Sequence, residues 1–161
     1  MTEKKGLTLP PLAHIGVVVK NLKEAIEYYS TVFGIGPFTI GPFEDGDFIL
    51  RKQLVKGKPV NGVLVNTASA QIGPIDIELL EPVRDGPHKW FLDSKGEGVQ
   101  HLGFVVENCD AWIDYARQQG IEILLDAELD LPGIGRVHAV YLESDKPGGV
   151  IVELSSVNPF K

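Results

Sequence analysis

Two segments of this chain, Ile75-Asp-Ile-Glu78-Leu-Leu80 and Val150-Ile-Val-Glu153-Leu154, set a carboxylate among apolar residues. Two others, His14-Ile-Gly-Val and His101-Leu-Gly-Phe, begin on a histidine that leads into a β-branched or aromatic run. Successive side chains of a strand point to opposite faces. Glu78 therefore opposes Ile75, Ile77 and Leu79, and Glu153 opposes Val150, Val152 and Leu154. His14 opposes Ile15, Val17 and Val19 in the same way, and His101 opposes Leu102, Phe104 and Val106. If the apolar faces pack on helices, the four polar side chains share the inner surface of a curved sheet, where an uncompensated carboxylate is costly. Two carboxylates and two neutral imidazoles around one divalent cation leave a site near neutrality. Such nitrogen and oxygen ligation suits Zn, Ni, Co, Mn or Fe(II), and the residue types do not choose between them.

The elements that must position these side chains are written twice. The fifteen residues His14–Tyr28 align without gaps on His101–Tyr115, with seven identities: His14/His101, Gly16/Gly103, Val18/Val105, Val19/Val106, Asn21/Asn108, Ile26/Ile113 and Tyr28/Tyr115. Each copy reads as a strand, an asparagine placed to cap a helix, and a helix closed by a glycine at Gly34 or Gly120. Leu22, Ile26, Tyr29 and Phe33 form the apolar stripe of the first helix, and Cys109, Trp112, Ile113 and Ala116 that of the second. Three further strands are expected in each half: about residues 48–54, 62–68 and 72–80, then 121–125, 136–142 and 150–155. A linker helix is expected around residues 88–94. The order β-α-β-β-β occurs twice, giving an α+β domain of two modules, about residues 12–82 and 99–157, whose curved mixed sheets flank a cleft.

Composition narrows the function classes. Apolar residues make up 43% and charged residues 23%, values of a folded globular chain rather than a disordered one. A net charge of −7 over 161 residues argues against a nucleic-acid partner. No apolar run is long enough to span a bilayer, and the polar start lacks a signal-peptide core, so a cytoplasmic protein with no membrane partner is expected. The single cysteine, Cys109, excludes a thiolate metal cluster and reads as a small packing residue. His138 is read as a packing residue that could reach the cleft, His88 as a solvated linker residue, and Asp76 as a supporting partner on the face of Glu78. Arg84, Lys89 and Lys95 read as scattered surface charge, and Trp90 and Phe91 as packing for the linker helix.

The chain resembles the vicinal oxygen chelate superfamily, which holds glyoxalase I, methylmalonyl-CoA epimerase, extradiol dioxygenases and bleomycin-resistance proteins. Within it, Leu12-Ala-His14-Ile-Gly-Val-Val-Val-Lys-Asn-Leu22, Glu78-Leu-Leu-Glu-Pro82, Gly96-Glu-Gly-Val-Gln-His101 and the ending Gly-Gly-Val-Ile-Val-Glu153-Leu are most similar to the methylmalonyl-CoA epimerase branch. The resemblance implies paired βαβββ modules around a metal held by His14, Glu78, His101 and Glu153. It also implies a small carbonyl or acyl-thioester substrate that loses a proton next to its carbonyl, and a homodimer. Glu153 is the favoured proton-transfer residue, with Glu78 the alternative. Glyoxalase I-like isomerisation, Fe(II) dioxygenase chemistry and non-catalytic drug binding are the other activities the superfamily offers. This chain departs from the branch at Gln100-His101, where a His-His pair is usual, and at Gly86-Pro87-His88, where Ser-Pro is usual. The stretch from about Leu54 to Val63, where a second base would be sought, carries lysines and no acid.

Overall fold

A computed structural model describes residues 6–41, 47–143 and 148–161. In chain order its elements are β1 (His14–Val18), α1 (Leu22–Phe33), β2 (Thr39–Ile40), β3 (Ile49–Val55), β4 (Lys58–Pro59), β5 (Val65–Ile72), β6 (Ile75–Pro82), α2 (Pro87–Lys95), β7 (Gly98–Val105), α3 (Cys109–Gln118), β8 (Ile123–Leu131), β9 (Gly135–Leu142) and β10 (Ile151–Asn158). The strands form one curled, mixed sheet in the order β2-β5-β6-β1-β7-β10-β9-β8-β3-β4. The two halves are thus joined edge to edge through an antiparallel β1–β7 pair, while β1–β6 and β7–β10 run parallel.

The helices form for the reasons their sequences give. The Asn21 side chain accepts a hydrogen bond from the Glu24 amide at 3.0 Å, and that of Asn108 from the Ala111 amide at 3.2 Å. Gly34 and Gly120 take left-handed backbone, with φ of 67° and 70°, which a residue bearing a Cβ adopts reluctantly. α1 covers Val17, Val19, Ile77 and Leu79, and α3 covers Phe104, Val106, Val140 and Leu154. Burying each such side chain contributes roughly 1.5–3 kcal/mol. Phe33 departs from the expected stripe: it is 62% exposed and stacks edge-on against Tyr28 instead of entering the core.

One pairing was not foreseen. β3 belongs to the first module in sequence, yet it hydrogen-bonds antiparallel to β8 of the second, from Ile49 opposite Asp130 to Val55 opposite Leu125. The exchange covers an edge of the second half that would otherwise present unpaired amides and carbonyls. It also carries Leu50 and Gln53 across to wall the cavity between the halves. No helix among the described residues is long and apolar enough to cross a membrane.

Candidate metal centre

β6, β1, β7 and β10 are consecutive in the sheet, and each contributes one of the four expected ligands. Register sets them in two matching rows. Gly16 lies opposite both Glu78 and His101, and Gly103 lies opposite both Glu153 and His14. Each row therefore reads Glu, Gly, His across three strands. The glycine is the space the imidazole needs: a Cβ at Gly16 would lie 2.0 Å from the His101 ring, and one at Gly103 would lie 1.9 Å from the His14 ring. The repeated His-x-Gly spacing is the signal for this reciprocal stacking. Alternation alone explains only why the histidines face inward.

The four side chains converge. His14 Nε2 and His101 Nε2 lie 3.1 Å apart, and each lies 2.8 Å from Glu153 Oε2. Glu78 Oε2 is 3.3 Å from His14 Nε2, and one ligand atom from each residue falls within 4.8 Å of all the others. Neighbouring donors of one cation bound at about 2.0–2.2 Å are separated by about 2.8–3.6 Å, depending on geometry. The cluster fits a single divalent ion in both its spacing and its donor types. Among the described residues it is the one group of this kind.

Surroundings split the two carboxylates. For Glu153, burial favours the protonated form, but hydrogen bonds from His101 and His14 outweigh it and hold the carboxyl well below the usual range. For Glu78, burial and the charge of Glu153 win over the two imidazoles and push the carboxyl up to about 7. Burial alone would lower the pKa of His14; the hydrogen bond and charge of Glu153, aided by the charges of Glu78 and Asp76, raise it instead. Asp76, exposed and opposite His14 in the β1–β6 register, supports the site through that charge. A dication in the cluster would oppose the upward shifts of Glu78 and His14, reinforce the downward shift of Glu153, and keep both carboxylates ionised.

Two supporting residues escaped the sequence reading. Gln100 Oε1 lies 3.1 Å from His101 Nδ1, and its Nε2 donates to the Pro87 carbonyl at 3.3 Å. With the amide so oriented, Nδ1 of His101 carries a hydrogen, and Nε2, once its own hydrogen on Glu153 is given up, would be the lone-pair donor to a cation. The residue that replaces the usual histidine thus has a defined task. Tyr141, opposite Glu153 in the β9–β10 register, shares a hydrogen bond with it and stacks edge-on against His101 at 5.1 Å. Burial and the charges of Glu153 and Glu78 push its phenol well above the ordinary value, so it stays protonated.

Other expectations resolve variously. His88 is not solvated: it is 2% exposed and lines the cavity, because Pro87 starts α2 and the first turn carries the ring inward. His138 faces away from the cavity and pairs with Asp126 at 2.7 Å, beside Lys52. Cys109 is buried under α3 and burial raises its pKa, as a packing role requires. Lys89 pairs with Asp93, Lys95 lies over the Phe91 ring, and Trp90 packs on Val55, Leu124 and Leu125.

The sequence profile of the Glyoxalase/Bleomycin resistance protein/Dioxygenase superfamily matches residues 13–132. The chain belongs to this superfamily. The 2-epi-5-epi-valiolone epimerase of an Actinomyces species is 28% identical over 145 residues, covering 88% of this chain and 76% of its own length. Human mitochondrial methylmalonyl-CoA epimerase is 26% identical over 145 residues, covering 89% of this chain and 72% of its own length. Among solved structures, Streptomyces coelicolor methylmalonyl-CoA epimerase in complex with 2-nitronate-propionyl-CoA superposes with a TM-score of 0.64 at 24% identity. That match covers 94% of this chain and 100% of the other, and it establishes the shared superfamily fold. Placed in that fold, Glu78 and Glu153 of the cluster line a cavity of about 210 Å³ whose walls are mainly Leu, Val and Ala.

Proposed function

We propose that this protein is a metal-dependent isomerase or lyase that moves a proton next to the carbonyl of a small substrate, with epimerisation of an acyl thioester of the methylmalonyl-CoA type as the leading activity. The observation that carries this reading is that two carboxylates, Glu78 and Glu153, converge with two imidazoles and stand at the inner wall of an apolar cavity. A divalent ion held by His14, Glu78, His101 and Glu153 supplies Lewis-acid stabilisation of the charge that develops on the carbonyl oxygen.

The chain's own groups then divide the work. Glu153, in contact with both imidazoles, holds the cluster together. Glu78 has the longer contact and the greater exposure, with a side chain 20% accessible against 9% for Glu153. It is the group we assign to take up the α-proton, at Oε1, the oxygen not turned to His14; inversion follows when the planar enolate turns its other face to Glu78 before the proton is returned. The sequence alone favours Glu153 for this step; the longer contact and greater exposure of Glu78 favour Glu78 instead. Tyr141 and Gln100 fix Glu153 and His101, and the apolar wall formed by Leu125, Ala127 and Leu129 keeps water from the reacting carbon. The buried free thiol of Cys109 fits a cytoplasmic protein, and the superfamily resemblance supports a homodimer.

Metal analysis of the purified protein, followed by NMR of methylmalonyl-CoA in D2O, tests the reading. One divalent ion per chain and deuterium entering the α-position are expected. Conversion of the methylglyoxal–glutathione hemithioacetal in place of that exchange would assign the glyoxalase I reaction. A metal-free protein inert towards both would overturn the enzyme reading.

A further inference from the structure

Three of the four histidines have polar partners: His14 and His101 in the cluster, and His138 on Asp126. His88 has none. Both of its ring nitrogens are buried and lack any hydrogen-bond partner. Burial holds its pKa down to about 3, so at neutral pH the ring is an uncharged imidazole with one donor and one acceptor. Leaving both unmet costs free energy that folded proteins rarely tolerate without a ligand, ion or water to meet them. The ring is held in place: Pro87 and the first turn of α2 set its backbone, Gln100 ties the Pro87 carbonyl to β7, and Tyr141 stacks edge-on against it at 5.0 Å. Tyr141 also stacks against His101, so His88 stands one ring beyond the ligand cluster along the wall of the same cavity.

That cavity limits what can meet the imidazole. Among the described residues no lysine or arginine lines it. Beyond the reach of a cation in the cluster, a carboxylate or phosphate lodged there would therefore be buried against aliphatic walls without a countercharge. We propose that His88 is the specificity contact of the cavity, hydrogen-bonding an uncharged oxygen, a hydroxyl or carbonyl, on the part of the substrate that lies beyond the Glu78–Glu153 pair. This rests on the proton-transfer reading of the same site and adds the substrate class: a carbonyl compound or acyl thioester bearing a further neutral oxygen on its acyl portion.

The test compares butyryl-CoA with 3-hydroxybutyryl-CoA, which differ by one hydroxyl, using the metal-loaded full chain. Wild type should bind the hydroxylated thioester about tenfold more tightly, the size expected for one hydrogen bond to an otherwise unpaired buried group. His88→Phe should bring that ratio to about one while leaving metal content and butyryl-CoA binding unchanged, and His88→Gln should restore part of it. An equal ratio in wild type and His88→Phe would overturn the proposal. Side-chain ¹⁵N NMR of wild type gives a second readout should His88→Phe fail to fold: both His88 ring nitrogens should shift on adding 3-hydroxybutyryl-CoA and stay in place with butyryl-CoA. If neither thioester binds, the acyl-thioester reading fails, and 2-butanone serves as the probe for His88. A shift of its nitrogens with the ketone keeps the contact. Nitrogens that stay unmoved, or that hold an undisplaced water, rule it out.

Discussion

The two halves present the same trio of Glu, Gly and His in the same register, yet their carboxylates end in different states. In the second half Glu153 receives both imidazoles at 2.8 Å and stays ionised. In the first, Glu78 stands 3.3 Å from a single imidazole, feels the charge of Glu153, and has its pKa pushed up to about 7. A duplicated backbone supplies the four side chains; unequal surroundings then set the two carboxylates apart. Tyr141 belongs to that inequality, because the first half offers Glu78 no phenol: the residue opposite it on β5 is Ser69.

Exchanging the carboxylates gives the largest effects. Glu78→Gln should retain the metal and lower α-proton exchange by roughly 10²–10⁴-fold, the usual worth of a positioned base. Glu153→Gln should instead cost metal affinity, which equilibrium dialysis reads directly. If the two variants behave alike, or in the reverse order, the division of labour is wrong.

The glycines probe what the halves share. Gly16→Ala and Gly103→Ala each drive a methyl into the imidazole stacked above. Each should cost about 10–100-fold in metal affinity, as displaced ligand supports do, and roughly 1–3 kcal/mol of stability from overpacking. Similar losses at both positions would confirm the pseudo-symmetry, and a loss at one alone would break it. These glycines also mark the limit of what the sequence disclosed. The repeat, the helix caps and the inward face of each ligand were legible because they follow from local periodicity. The crossing of β3 to β8 and the tie from Gln100 to Pro87 depend on neighbours distant in sequence, which no local pattern specifies, while the ring-over-glycine contact leaves only the His-x-Gly spacing as its local trace.

Acidity should separate the halves next. Above its ordinary value, the pKa of His14 favours the protonated imidazole, and that of Glu78 at about 7 favours the neutral acid. Both protons must leave for a cation to enter. Metal affinity measured in buffers of stepped pH should therefore be level above about 8 and fall below about 7, by up to about a hundredfold per unit where two protons compete. Without metal the native state holds these protons more tightly than the unfolded chain, so thermal stability should decline as pH rises from 4.5 through about 7. Loss of the ion pairs of Glu153, whose pKa is depressed, should lower it again only in more acid solution. Metal-loaded protein should lack the decline near neutrality.

The smallest effect is expected on the far face of the sheet. Asp126→Asn weakens the contacts with His138 and Lys52 and should cost about 1 kcal/mol in a denaturant titration, with metal affinity unchanged. A change in metal binding there would mean that the two faces are coupled.

The central claim is that one divalent ion is shared by two imidazoles and two carboxylates drawn from both halves. Anomalous diffraction at the absorption edge of the bound metal tests it most directly. The account predicts a single peak within bonding distance of His14, Glu78, His101 and Glu153. A peak elsewhere, or one that leaves either glutamate out of reach, would contradict it.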